Sequence, residues 1–371
     1  GTIRLFTPVG ELATTFSAGH EHPLSQVAVS PLHDEYVIVT ADVRSIVRIH
    51  KVSVRQRRMS KEEKQVRKSS NDDKFSVHLG SQVNVTTQFN RQIKMPNGTD
   101  GRRWPVSALA MASQQGTKYF IVGHPGGNIT VITRNGTLHA RINTGVDAAV
   151  DSFSVHLGTV VFACGGVWGF VDLETMDARL MECPNFEGRI VSALVDAQKQ
   201  DRVVAADDGG AIWVFNVQNK RQCKIEHRFP LGTARHPVEV ASVRGFTLAL
   251  DHSERGAGVA TLSALNMSHV GKKKQDPSRV VPAIVWRRTG AALRSWTVHK
   301  RYQQGDLLAL LSEDGMEIEI LEVLMQVYQQ PQQDSFSNFK MPVFAVAIVM
   351  VLGYQYVKGK GAFDPGLTEG V

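Results

Sequence analysis

Cysteine is scarce in this chain: three residues, Cys164, Cys183 and Cys223, in 371. So few cannot staple a disulfide scaffold, and none lies in the CxxC spacing of a structural zinc site. One disulfide is allowed, expected between Cys164 and Cys183, and the odd count leaves at least one thiol over. Catalytic signatures are missing too. There is no Gly-x-Ser-x-Gly elbow, no HExxH pair and no phosphate-binding Gly-Lys-Ser/Thr loop, which removes the common hydrolase, zincin and nucleotidase chemistries. Neither a cofactor nor an enzymatic activity is expected. Aromatics make up 7% and do not interleave with the basic runs, so the net charge of +7 is not read as nucleic-acid binding. Part of that charge falls in residues 55–68 and 272–274, which read as solvated loops.

Long apolar runs are absent from the first 340 residues, and then one appears. Residues 341–357 read MPVFAVAIVMVLGYQYV and are followed by Lys358 and Lys360. At 17 residues the run is near the short limit for crossing a bilayer, and its tyrosines suit a membrane interface. It is expected to be a single transmembrane helix in contact with the lipid bilayer. A Gln/Ser-rich linker, 326–340, precedes it and a short tail, 358–371, follows.

What fills residues 1–325 is a repeat. An apolar run, a Gly/Asp turn and a second run of alternating character recur six times, beginning at Tyr36, Tyr119, Val160, Val203, Leu248 and Leu308. The middle starts are 41, 43 and 45 residues apart, and the two longer intervals each carry a polar insertion. Short Val/Ile/Phe/Trp runs separated by Gly, Asp and Asn turns predict antiparallel hairpins, and a period of 40 to 45 residues suits propeller blades. The expected fold is all-β, a β-propeller of six or seven four-stranded blades, plus the C-terminal helix. Ile3 precedes the matching Ile46 by 43 residues, so the N-terminal piece is expected to supply the last two strands of a blade. Either it completes the final blade, or a seventh blade lacks its first half.

The unit GHEHPLSQVAVSPLHDEYVIVTADVRSIVRIHKV from Gly19 resembles a WD40 repeat, with Gly19-His20 at the blade entry and Ile49-His50 where Trp-Asp often stands. At the corresponding places the other units lack both pairs. That resemblance implies a structural role for His20, in a hydrogen-bond network that pins the blade.

Asn-x-Ser/Thr sequons occur at Asn84, Asn97, Asn128, Asn135 and Asn266, candidates for N-glycosylation. They agree with a tail placed in the cytosol by its lysines and a propeller in the secretory-pathway lumen or outside the cell. The densest basic and aromatic stretch, Arg287, Arg288, Arg294, Trp296, Lys300 and Arg301, is a candidate partner-binding rim. Asp207-Asp208-Gly209-Gly210 reads as a turn and not a calcium loop, and His20-Glu21-His22 is too weakly spaced for a metal. The whole reads as a membrane-anchored, non-catalytic protein-interaction scaffold, a subunit of a membrane complex. The alternative puts the propeller in the cytosol, where it would resemble the membrane-anchored β-propeller exchange factor that starts COPII coat assembly.

Overall fold

The computed structural model describes residues 1–6, 12–31, 36–56, 83–95, 104–156, 158–196, 199–219, 221–231, 238–243, 245–254, 259–267, 270, 283–289, 293–299, 306–312 and 317–323. Two compact units divide at Gly1–Met325 and Gln326–Val371. The linker, the apolar run at 341–357 and the tail lie outside the described residues, and no described helix is long and apolar enough to cross a membrane.

The described strands form a two-stranded hairpin and six larger antiparallel sheets. The hairpin joins β1 (Thr2–Phe6) to β2 (Leu12–Ser17). Blade one contains β3 (Leu24–Pro31), β4 (Tyr36–Asp42), β5 (Ile46–Gln56) and β6 (Val83–Lys94). Blade two contains β7 (Ala108–Gln114), β8 (Thr117–Gly123), β9 (Asn128–Thr133) and β10 (Leu138–Asn143). Blade three contains β11 (Val150–His156), β12 (Thr159–Cys164), β13 (Val167–Asp172) and β14 (Asp177–Leu180). Blade four contains β15 (Ile190–Val195), β16 (Arg202–Asp207), β17 (Ala211–Gln218) and β18 (Gln222–Pro230). Blade five contains β19 (Glu239–Val243), β20 (Phe246–Glu254), β21 (Val259–Asn266) and β22 (Ala283–Thr289). Blade six has three described strands, β23 (Leu293–His299), β24 (Asp306–Ser312) and β25 (Ile318–Val323). All six repeat starts fall at or just inside the second strand of a blade, so the recurring unit is the hairpin of its second and third strands.

The second strand is apolar on both faces because both faces meet another blade. In β12, Val160 and Phe162 pack into the layer shared with blade two, while Val161 and Ala163 pack into the layer shared with blade four. Every residue of β12 and β16 is therefore buried. This is why the repeats read as continuous Val/Ile/Phe runs where a one-sided sheet would alternate. Outer strands meet water, and β14 has three exposed residues in four. β24 differs from its counterparts, alternating between buried and half-buried positions, with Leu307, Ala309 and Leu311 only partly covered.

The hairpin packs on blade one through Ile3 and Ala18 against Ile38 and Val52. Among the described residues β1 pairs with β2 alone and blade six keeps three strands. The N-terminal piece therefore does not complete the final blade, and the described architecture is a six-bladed propeller with a separate hairpin.

The expected Cys164–Cys183 pairing is corrected: Cys183 bonds to Cys223, with Cα atoms 4.9 Å apart. Those two are 40 residues apart, about one blade period, so they occupy similar outer positions in neighbouring blades. Cys164 ends the second strand of blade three, half a period away from Cys183. It stays a free, buried thiol whose Sγ donates to the Ala148 carbonyl at 3.4 Å, and burial pushes its pKa up.

Candidate functional site: the central cavity and the polar pins of the blades

The first strands of the six blades surround one cavity of about 980 Å³. Its wall is largely aliphatic and hydroxyl-bearing, from Val27 and Val29 on β3 through Ser152 and Ser154 on β11 to Thr297 on β23. The titratable groups in the wall are Asp151, His156 and Glu239. Asp151 is exposed, yet partial burial pushes its carboxyl up, against the Gly165 amide it accepts at 3.2 Å and the nearby Arg189 charge. The Trp296 indole donates to Glu239 at 2.6 Å, joining blades six and five across the wall. Among the described residues no group of three or more His, Cys, Asp and Glu is placed to hold a metal ion.

Of the candidate rim, the described side chains are those of Arg287 and Trp296. Arg287 is exposed on β22, the outer strand of blade five, whereas Trp296 sits on β23, an inner strand of blade six. These two neighbours in sequence stand on strands of different blades. Arg288 and Arg294 belong to the same two strands, but their side chains, like Lys300 and Arg301 as a whole, lie outside the described residues.

His20 has the structural role that the repeat resemblance implies. Its Nδ1 lies 3.0 Å from Asp42 and its Nε2 2.8 Å from the Thr40 hydroxyl, which is 3.1 Å from Nε2 of His50. Asp42 also accepts the amides of Ile46 and Arg44, ending the turn between β4 and β5. The chain of partners closes when both imidazoles are neutral: His20 donates to Asp42, Thr40 donates to His20, and His50 donates to Thr40. Burial lowers the pKa of His20, offset by Asp42, and brings that of His50 to about 4. In blade two His124 is likewise buried and lowered, held by the Pro105 carbonyl and the Thr130 hydroxyl at 2.8 Å each.

These shifts set an acid limit. A histidine whose folded pKa is depressed favours the native state above its unfolded value near 6.5, and that contribution is lost as pH falls toward the folded value. For His50 the full span is about 3 kcal/mol. The unfolding midpoint is therefore expected to fall between pH 6.5 and 4, and His50→Gln, which keeps a donor but cannot titrate, is expected to flatten that limb in a thermal-unfolding series. An unchanged slope would remove His50 from the explanation.

Asp207 confirms a turn. It accepts the Ala211 amide and the Trp213 indole, both at 2.7 Å, while Asp208 is exposed. Sequence reasoning missed Arg202, a buried guanidinium on β16. It donates to Asp196 at 3.3 Å, Glu226 at 3.0 Å, and the Met267 and Val270 carbonyls at 3.1 and 2.7 Å, joining blade four to the segment following β21. An arginine opening an apolar second strand was the available signal.

Two sequons sit in strands. Asn128 begins β9, half-buried, with its carboxamide donating to the Gly126 carbonyl, and Asn266 ends β21, also half-buried. Asn135 is exposed in the turn between β9 and β10. Asn84 lies on β6 opposite Arg55, its side chain outside the described residues, as is the whole of Asn97.

The sheets and their shared cavity define a β-propeller. No protein-family model and no curated protein matches the chain. Among solved structures, the Dos1 propeller is similar over 86% of this chain and 73% of its own, at 10% identity and a TM-score of 0.53. A chain of the Chaetomium thermophilum Polycomb Repressive Complex 2 bound to GSK126 is similar over 81% of this chain and 70% of its own, at 11% identity and a TM-score of 0.53. At these identities the likeness shows the fold.

Proposed function

We propose that this chain is a non-catalytic protein-interaction scaffold, a propeller tethered to a membrane by residues 341–357 and facing the lumen or the outside of the cell. The cavity carries the reading. Its wall is mostly aliphatic and hydroxyl, and its Asp151 and Glu239 carboxylates already accept from the Gly165 amide and the Trp296 indole. Such a surface offers apolar contact beside hydroxyl and other polar groups, as a protein-binding face does. The fold likeness to a propeller in a repressive complex supports protein partners. The Cys183–Cys223 bridge supports the lumenal side, since structural disulfides persist in oxidising compartments.

The native full-length chain is expected to migrate in a complex larger than its monomer. Trp296→Ala, which removes one of the large aromatic side chains lining the cavity beside Phe153, should weaken that association about tenfold or more. A monomer under native conditions ends the scaffold reading. The chain should also stay with membranes through alkaline extraction, with its propeller protected from protease in sealed vesicles. A protease-accessible propeller would instead select the cytosol-facing alternative.

A further inference from the structure

The geometry points to Asn135 as an N-linked glycan acceptor, the sequon among those described that the folded blade leaves able to carry a sugar. An acceptor site needs its Asn carboxamide and the hydroxyl two residues on presented together, with space outside for the oligosaccharide.

Asn135-Gly136-Thr137 has that space. The segment is the tip of the β9–β10 hairpin on the outer half of blade two, and Asn135, Thr137 and Leu138 are all exposed. The hairpin is held without burying the acceptor: the Gly136 amide donates to the Thr133 carbonyl at 2.8 Å, the Thr137 amide to the Thr133 hydroxyl at 3.3 Å, and Gly136 takes a φ of 77°. At Asn128 the same tripeptide pattern fails. Thr130 is 1% exposed, with its hydroxyl 2.8 Å from His124 Nε2, so the sequon's second element is sealed in the blade. Asn266 is half-buried and followed by Met267 at 1% exposure.

The Cys183–Cys223 bridge is an independent observation pointing to the same compartment, the oxidising one in which such transfer takes place. The donor is an oligosaccharide linked to a polyprenyl diphosphate. Asn135 Nδ2 attacks the anomeric carbon, the new N–C bond forms, the C–O bond to the diphosphate breaks, and the amide gives up one proton as the polyprenyl diphosphate leaves. The sugar would stand on the outer side of the ring, away from the inner strands that line the cavity.

The full-length protein from its own cells should be digested and deglycosylated in ¹⁸O-water, then mapped by mass spectrometry. The isotope is expected at position 135 and absent from 128 and 266. Asn135→Gln and Thr137→Ala should each abolish one step of gel mobility, Thr137→Ser should retain it, and Asn128→Gln should leave it unchanged. A bare Asn135 overturns the proposal, whether the chain carries no sugar or carries it at Asn128 or Asn266. Such a chain that still assembled with its partners would leave the scaffold reading standing.

Discussion

Arg202→Ala is expected to destabilise the propeller by about 3–5 kcal/mol, because removing one member of a buried ionic network strands the others. Asp196 is 2% exposed and would lose the cation that its carboxylate faces. Glu226 would keep Asn216 as a donor at 3.0 Å but lose its charged partner. The Met267 and Val270 carbonyls would lose guanidinium donors that no aliphatic side chain replaces. For a domain of this size the unfolding midpoint should fall by roughly 5–8 °C. Calorimetry checks this, and adding Asp196→Asn to Arg202→Ala should recover part of the loss by removing the orphaned charge. A drop within the range of ordinary surface substitutions would mean that the network contributes little.

Reducing the Cys183–Cys223 bridge is expected to cost about 4 kcal/mol, the chain entropy returned when a loop of 40 residues is opened. The bridge ties blade three to blade four at the outer edge, and its loss frees β18 and the exit of β14 together. Guanidinium unfolding with and without dithiothreitol measures the difference. Thiol titration of the denatured, unreduced chain should find one reactive group, Cys164, and three after reduction. Three thiols before reduction would show that the bridge is not formed, and would take with it the support for an oxidising compartment.

The blade phase was legible in the sequence because the second strand is apolar on both faces, and Tyr36, Val160 and Val203 begin runs that no one-sided sheet would produce. His20 was legible through its Gly-His pair. Its partners were less so, since Thr40 looks like any β-branched strand residue and His50 stands where the Asp of a Trp-Asp pair is expected. The cysteine pairing was missed because it depends on radius within the stack, which sequence separation reveals only once the period is treated as a spatial repeat. In the stretch from Arg287 to Arg301, Arg287 falls on the outer strand of blade five and Trp296 on the inner strand of blade six, a separation that sequence adjacency hides. Arg202 was hidden because nothing local announces four acceptors brought together from blade four and the segment following β21.

The half-covered β24 gives the ring a graded resistance to opening. Where β12 and β16 are sealed on both sides, Leu307, Ala309 and Leu311 contribute only part of the burial their counterparts do. Local unfolding begins where the fewest apolar contacts must be broken. Blade six is thus the soft end of the described propeller, while blades three to five, cross-tied by Cys183–Cys223 and Arg202, form its rigid arc.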